Sequence, residues 1–242
     1  MMMHPDPPTV KILTYNLHKG RSALRRDVLA EIADALAERA PDLLTCQEVF
    51  HGTRDTRHQC EVLAEALDHA HVFGPNAFYR KGCHGNATFA RLPVAEHVNI
   101  DVTQSTLEKR GILHATLQDG PGTIETMNVH FSLTRRQRAR QWRRLLETLP
   151  EDLAVPTIVC GDFNDWSGSL DRVARRSGTF HNALWNLPTP ARQSYPAQRP
   201  LLALDRIYLR GFRVVSAEVL RGQPWSRLSD HLPIEVVVER TP

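Results

Sequence analysis

The first fifty residues change from a strand pattern to a helix pattern and back, and this order constrains the fold more than any other feature. The segment TVKILTYNL is rich in β-branched residues and alternates as strands do. In DVLAEIADALAERAPD the apolar residues lie near one helical face, and Pro41 ends the pattern. The apolar run DLLTCQEV predicts a second strand. A strand, helix and strand in succession are typical of an α/β fold.

The remaining sequence predicts two more helices and a series of short strands. HQCEVLAEALDHA and TRRQRARQWRRLLETLP carry helical apolar stripes, and Thr134 is the expected N-cap of the second. Between these helices, runs broken by Gly and Pro predict antiparallel strands, with QDGPGT as a hairpin turn. VPTIVCGDFND predicts a buried strand, and a proline-rich loop region follows it. Two closing segments also predict strands, and the first is interrupted at Gly211.

Composition favours a single globular domain over residues 9–240, preceded by a disordered lead-in at residues 1–8. The chain has 242 residues, of which 41% are apolar, and this is enough for a substantial core. It contains no apolar run of eighteen residues, so we expect no membrane span. The four cysteines form no C-x-x-C pair, and we expect buried thiols in a cytoplasmic monomer. A net charge of +3 neither demands nor excludes a polyanionic partner.

Polar residues of the kind that bind metals or phosphate groups stand at the ends of six predicted strands. They are Asn16, Glu48, Asn128 with His130, Asp162 with Asn164, Asp205, and Asp230 with His231. One such residue more often caps a turn than binds a ligand. Six groups together predict one pocket, because strand ends on one side of a sheet lie close in space.

The residue types in this set suit a phosphoryl centre. Glu48, Asp230 and Asn16 offer hard oxygen ligands, which favour Mg²⁺ or Mn²⁺ over Zn²⁺. A histidine beside a carboxylate is oriented for acid–base work, and His130 and His231 are available for it. A divalent cation with such donors stabilises the negative charge that grows on phosphoryl oxygens.

The order of the motifs YNLHKG, QEV, NVHF, GDFND, LDRIYL and SDHLP resembles the endonuclease/exonuclease/phosphatase superfamily. The resemblance extends from about Lys11 to Glu239. It implies two packed mixed β-sheets flanked by helices, a four-layer α/β sandwich. It also implies a Mg²⁺-dependent phosphoesterase that hydrolyses a phosphodiester, of nucleic-acid or phospholipid type, or a phosphomonoester by direct attack of water. The alternative is a non-catalytic anion-binding module that retains the fold.

The resemblance further implies roles for the metal-side residues. Glu48 would hold the metal, with Asn16 and Asp230 beside it. Asp162 would position or deprotonate the attacking water. Asn164 would hold a phosphate oxygen.

For the histidines, the resemblance implies that His231 contacts the phosphoryl group and is oriented by Asp205. His130 would be the second histidine of the pocket, acting as an acid or as a donor to phosphate.

Substrate contacts are less constrained by the motifs. Asn86, Arg110 and Asn128 are expected on the substrate side, although Arg110 could equally be an exposed strand arginine. Trp166 is either a platform for a base or acyl chain or an ordinary packing tryptophan. Six arginines between residues 135 and 144 face either DNA phosphates or anionic lipid headgroups, or else form the solvated outer face of a helix.

Overall fold

The computed structural model describes residues 9–52 and 58–241, so the lead-in predicted for residues 1–8 lies outside the described residues. Within these ranges the chain forms two six-stranded sheets. The strands are β1 (Thr9–Asn16), β2 (Leu43–Gly52), β3 (Ala70–Tyr79), β4 (Gly82–Ala90), β5 (Val94–Asp101), β6 (Gly111–Asp119), β7 (Gly122–His130), β8 (Thr157–Asp162), β9 (His181–Asn182), β10 (Asp205–Arg210), β11 (Phe212–Val219) and β12 (Ile234–Arg240). The α-helices are α1 (Leu29–Arg39), α2 (Gln59–Leu67), α3 (Arg135–Glu147), α4 (Ser169–Ser177) and α5 (Trp225–Leu228).

Both sheets are mixed. The first has the order β11-β12-β1-β2-β4-β3, and the second has the order β5-β6-β7-β8-β10-β9. Within each sheet one pair of central strands is parallel, β1 with β2 and β7 with β8. The other pairs are antiparallel. This arrangement confirms the predicted pair of packed mixed sheets.

Alternation along β8 explains how four layers form. Ile158 and Cys160 point into the apolar cluster between the sheets. Val159 points the other way and packs with Trp142 of α3 and with Tyr208. Buried side chains of α1 and α2 join the cluster of the first sheet, and those of α3 and α4 cover the second. None of the described helices is long and apolar enough to span a membrane.

Several predicted elements are confirmed, and four strands or α-helices were not predicted. The three long helices and the hairpin between β6 and β7 lie where the sequence indicates them, and Thr134 accepts a hydrogen bond from the backbone N–H of Gln137. The structure adds strands β3 and β9 and helices α4 and α5. Helix α4 buries little beyond Leu170 and Ala174 on its apolar face, so its periodic signal is short.

The interruption at Gly211 marks a change of sheet. β10 belongs to the second sheet and β11 to the first, and only Gly211 separates them. Its φ of +76° is in the left-handed region, which glycine adopts without steric cost. The chain therefore turns from one layer to the other within one residue.

Gly161 permits a close approach between β7 and β8. Its φ is +136°, and an added Cβ would lie 2.0 Å from the carbonyl oxygen of Val129 on β7. The next residue, Asp162, is a candidate site residue, so this backbone geometry fixes where its carboxylate stands.

We expect Gly161→Ala to lower the free energy of unfolding by about 3 kcal/mol, because the new methyl group meets fixed backbone and an unfavourable φ. Urea denaturation checks this. Gly120→Ala is the control, since Gly120 also has a positive φ but its Cβ would meet nothing within 4 Å. An equal loss in both variants would show that φ alone, and not the approach of β7, decides the cost.

Candidate active site

Three predicted site residues stand side by side at one edge of the second sheet. His130 of β7 is the direct partner of Asp162 of β8, and Asp162 is the direct partner of Asp205 of β10. His130 Nε2 lies 3.5 Å from Asp162 Oδ2. The strand ends that the sequence singled out are thus adjacent in space.

His231 completes this row from the segment before β12. Its Nδ1 lies 2.8 Å from Asp205 Oδ2, and its Nε2 lies 3.7 Å from Asp162 Oδ2. Ser194 donates its hydroxyl to the same Oδ2 of Asp205 at 2.5 Å. All of these side chains are buried. Asp205 therefore fixes the orientation of His231, and Ser194 fixes Asp205.

Burial and neighbouring charges set the protonation states in this row. Burial raises the pKa of Asp162 to about 6, although the charge of His231 opposes this rise. Burial opposes protonation of His231, but Asp205 and Asp162 outweigh it and raise the pKa of His231 to about 10. Burial, with the positive charge of Arg110, holds the pKa of His130 well below its usual range. The row thus contains a charged His231 and a neutral His130.

Asn16 joins the first sheet to this row. Its Nδ2 donates to Asp162 Oδ2 at 3.1 Å, and its Oδ1 accepts the backbone N–H of His18 at 3.1 Å. Asn16 is paired directly with Gln47 across β1 and β2. Glu48, the residue after Gln47, therefore lies close to the same edge.

A β-bulge directs Glu48. Gln47 and Glu48 together stand opposite Asn86 of β4, and Glu48 has a φ of +54°. Its carboxylate forms no hydrogen bond or ion pair with another described residue. A residue with a left-handed φ and a carboxylate that is unpaired among the described residues is a candidate ligand.

Asp230 lies beside the end of β1. Ser229 donates its hydroxyl to the backbone carbonyl of Asn16 at 2.8 Å and also contacts Asp230 Oδ1 at 3.3 Å. His18 Nδ1 lies 3.8 Å from the same Asp230 oxygen. Asn16 and Asp230 thus lie at the end of β1, and Glu48 follows the pairing partner of Asn16 on the neighbouring strand. Oxygen donors of this kind suit a hard divalent cation such as Mg²⁺ or Mn²⁺.

A second donor group lies within the row itself. Asp162, Asp205 and His231 place ligand-type atoms within 4.8 Å of one another. The hydrogen bonds that Asp205 accepts from His231 and Ser194 both go to its Oδ2, and its Oδ1 is buried with no partner among the described residues. The chain thus offers two candidate donor sets for a cation, one beside the end of β1 and one within the row.

Asn164 turns the chain directly after β8. Its φ is +48°, and its backbone N–H donates to Asp162 Oδ1 at 2.9 Å. Its side-chain Nδ2 donates to the carbonyl of Phe131 at 3.0 Å. Asn164 therefore helps to hold the Asp162 carboxylate, and its predicted contact to a phosphate oxygen stays a prediction.

Asn128 differs from its expected role. It is fully buried, and its Nδ2 donates to the carbonyls of Cys46 at 3.0 Å and Ala87 at 2.8 Å, while its Oδ1 accepts from Gln47 Nε2 at 2.8 Å. These contacts lie across the two sheets at the bulge that directs Glu48. We therefore replace the predicted substrate contact of Asn128 with a positioning role.

Asn86 has a similar place on the opposite sheet. Its Nδ2 donates to the carbonyls of Gly111 and Asn128, both at 3.1 Å, so both amide hydrogens are used within the protein. Asn86 stands opposite Glu48 in the bulge and holds the second sheet against it. Positioning again describes these contacts better than substrate binding.

Arg110 borders a cleft of about 510 Å³ that begins at Glu48. Its guanidinium has no hydrogen bond within the described residues, its Nε is buried without a partner, and Glu108 lies 4.0 Å away. A mostly buried guanidinium with so few partners is suited to an anion. The low exposure of Arg110 argues against an ordinary exposed strand arginine, and its contact to a phosphate stays a prediction.

Trp166 is half-exposed, so it is not a core residue, and it lies near the buried row. Its ring lies 6.4 Å from that of Tyr195, and the ring of Tyr195 lies 4.8 Å from that of His231. These two aromatic rings form a wall beside the row of buried residues. Of the two roles open for Trp166, the platform agrees better with this position.

Asp165 is a buried charge rather than a simple turn residue. It accepts the Leu170 backbone N–H at 2.7 Å and the Ser169 hydroxyl at 2.9 Å, at the start of α4. Arg206 and Arg138 lie 3.5 Å and 3.6 Å from its carboxylate. Arg138 is thus a structural residue within the arginine-rich helix, whose other five arginines are exposed.

Sequence reasoning missed Ser194, Gln47, Ser229 and Tyr195. All four act through other residues: Ser194 on Asp205, Gln47 on Asn128, Ser229 on Asn16 and Asp230, and Tyr195 on His231. Ser194 and Tyr195 lie in an irregular loop without periodic pattern. Only the burial of a polar side chain could have marked them, and burial is not visible in such a loop.

The comparisons with known proteins agree with this fold. The sequence model of the Endonuclease/Exonuclease/phosphatase family matches residues 13–231. The uncharacterized protein YbhP of Escherichia coli (strain K12) is 33% identical over 94% of this chain and 95% of its own length. The chain therefore belongs to the endonuclease/exonuclease/phosphatase family.

Solved structures show the same fold. An endonuclease/exonuclease/phosphatase from Beutenbergia cavernae has a TM-score of 0.80 at 19% identity, over 96% of this chain and 72% of that one. The mannosyl-6-phosphatase of Bacteroides thetaiotaomicron has a TM-score of 0.72 at 18% identity, over 95% of this chain and 99% of that one. At these identities the likeness is one of fold.

Asp165 gives a test of the charge cluster beside the site. Burial tends to raise the pKa of Asp165, but Arg206 and the Leu170 N–H bring it below its ordinary value. The carboxylate therefore stabilises the folded state above an unfolded pKa of about 3.9, and this contribution is lost as pH falls through the lower folded pKa.

We expect Asp165→Asn to lower the free energy of unfolding by about 3–5 kcal/mol at pH 7, because buried Arg138 loses its counter-charge and buried Arg206 keeps only Asp171. The difference from the parent should shrink as pH falls below about 4. Urea denaturation across pH checks both statements, with the exposed Asp34→Asn as the control. A difference that stays constant with pH would contradict the ionic role.

Proposed function

We propose that the protein is a metal-dependent phosphoesterase that hydrolyses a phosphodiester or a phosphomonoester by direct attack of water. The observation that carries this proposal is the row of His130, Asp162 and Asp205 with His231, next to the oxygen donors around β1. Family membership supports the same reaction class. The mannosyl-6-phosphatase among the similar folds is one protein of this architecture that is named for a phosphatase activity.

The charge balance of the pocket supports a cation. Asp162, Asp205, Glu48 and Asp230 supply four carboxylates, and His231 supplies the single buried positive charge of the row. A phosphate group would be repelled by this excess of negative charge. Glu48, with Asn16 and Asp230, would hold a Mg²⁺ or Mn²⁺ ion. When bound, the cation supplies Lewis-acid stabilisation of the phosphoryl oxygens.

The buried row then performs the proton and charge chemistry. Asp162, whose pKa is about 6, takes a proton from the attacking water while the water oxygen bonds to phosphorus. The ester oxygen departs with the bonding electrons, and no enzyme side chain forms a covalent bond. His231 remains protonated and donates to a phosphoryl oxygen where negative charge grows, while neutral His130 offers a further hydrogen bond.

The substrate within this class is tested by a side-by-side panel. Single-stranded DNA, duplex DNA, RNA, phospholipids and a sugar phosphate should be incubated with Mg²⁺ and Mn²⁺. The proposal fails if none is hydrolysed. Tight metal-independent anion binding without turnover, measured by isothermal titration, would favour the alternative of a non-catalytic binding module. We retain the cytoplasmic location and the monomeric state as predictions.

His231 and Asp205 should act as one unit. We expect His231→Ala to lower kcat/KM by about 10²- to 10³-fold, because it removes a charged donor from the transition state. Asp205→Asn should cost less, about 10- to 100-fold, since it acts through the orientation of His231. In the double variant Asp205→Asn should add little. Steady-state kinetics measure each loss, and His97→Ala on exposed β5 is the control. If the fold-losses of the two single variants multiply in the double variant, the two residues act independently and the proposed coupling is wrong.

Glu48 should be the main metal ligand. We expect Glu48→Gln to weaken Mg²⁺ or Mn²⁺ binding at least about tenfold, because it replaces a carboxylate with a neutral amide. Isothermal titration measures this without any substrate, with Glu96→Gln, an exposed residue of β5, as the control. Metal binding by Glu48→Gln equal to that of the parent would remove Glu48 from the site.

A further inference from the structure

The cleft that begins at Glu48 has an exposed apolar edge. Phe78 and Leu107 are 74% and 92% exposed, and Tyr79 is 56% exposed. All three border the same cleft as Glu48 and Arg110. We call Phe78, Tyr79 and Leu107 the apolar rim. It is formed by the tip of the β3–β4 hairpin and by the loop before β6.

Cations surround the apolar rim. Lys19 and Lys109 border the cleft, and Arg80 and Lys81 form the turn between β3 and β4 directly after Tyr79. All four are exposed, and within the described part of the chain none of them forms an ion pair. We call these four residues the rim cations. Apolar side chains and unpaired positive charges therefore occupy one border of the candidate active site.

The surface next to the rim also carries exposed apolar and positively charged side chains. The backbone N–H of Leu133 donates to Glu108 Oε2 at 3.4 Å, which places the exposed Leu133 beside the loop of Leu107. Arg140 of α3 reaches the same loop through Gln104 at 3.4 Å. The exposed arginines of α3 thus extend the positive surface away from the rim.

We propose that the apolar rim and the rim cations dock on an anionic lipid surface and present the cleft to it. The inference rests on the proposed function only in assigning the cleft to a phosphate ester carried by that surface. Positive side chains are attracted to anionic headgroups, and apolar tips beside them enter the interfacial layer. The proposed contact is peripheral, with the rim side chains entering only the interfacial layer.

The aliphatic part of the rim decides between lipid and nucleic acid. Both partners present phosphates to the rim cations, and Phe78 or Tyr79 could stack on a base. Leu107 has no ring to stack with, yet it is the most exposed large apolar side chain among the described residues. An isolated aliphatic side chain gains from entering an acyl layer and gains little on a polar phosphate backbone.

Vesicle sedimentation of the full chain in metal-free buffer tests the proposal apart from hydrolysis. We expect the parent to bind phosphatidylglycerol-containing vesicles and to bind pure phosphatidylcholine vesicles much less, with binding that weakens as salt rises. Leu107→Ser and Phe78→Ser should each weaken binding by roughly tenfold. Arg80→Gln with Lys81→Gln should remove most of the preference for the anionic vesicles.

Leu153→Ser is the matched control. Leu153 is 68% exposed but precedes the start of β8, at the end of that strand opposite Asp162. The Leu153→Ser variant should bind the anionic vesicles as well as the parent does. Equal binding by Leu107→Ser, Phe78→Ser and Leu153→Ser would overturn the proposal, as would absence of binding by the parent.

A parallel titration with a single-stranded oligonucleotide tests whether the rim binds nucleic acid instead of lipid. Binding to the oligonucleotide that Phe78→Ser weakens, without binding to vesicles, would assign the rim to nucleic acid and overturn the lipid proposal. Failure of hydrolysis with intact vesicle binding would count against the proposed function alone. Absence of vesicle binding by the parent, with intact hydrolysis of a soluble ester, would count against the docking surface alone.

Discussion

Amide hydrogen bonds across the two sheets hold the candidate site together. Asn16 donates to Asp162, Asn86 donates to the carbonyl of Asn128, and Asn128 donates to the carbonyl of Cys46. An unpaired amide or carbonyl buried between sheets would cost about 1–3 kcal/mol, so these pairings favour one relative position of the sheets. The site takes its groups from both sheets, and it exists only while that position is kept.

Local strain is concentrated at the same edge. Glu48 and Asn164 both have left-handed φ angles, and each directly follows or interrupts a central strand. Such conformations cost free energy and persist only where the surroundings fix them. At Glu48 the surroundings are the bulge opposite Asn86, and at Asn164 they are hydrogen bonds to Asp162 and Phe131. The strained backbone at Glu48 and Asn164 thus fixes the direction in which these two polar residues point.

The sequence predicts the members of the buried row better than their partners. Asp162 and Asp205 can be identified because each stands at the end of an apolar run, and strand ends are visible in a linear pattern. The role of Asn128 could not be foreseen, because it depends on a bulge in another strand and on the distance between two sheets. Arg138 was missed for a related reason: a helical pattern rich in arginine does not say which arginine faces a buried carboxylate.

The division of labour between strands and loops explains how one framework can take different phosphate esters. His130, Asp162 and Asp205 stand at strand ends, and Asp162 is paired on both sides, with His130 and with Asp205. Tyr195, Trp166 and Leu107 lie outside the strands, where side chains can change without moving Asp162. On the proposed function, the chemistry would depend on the sheets, and the choice of substrate would depend on turns and loops. A change in Leu107 would then alter what reaches the cleft, whereas a change in Asn16 would alter what can happen there.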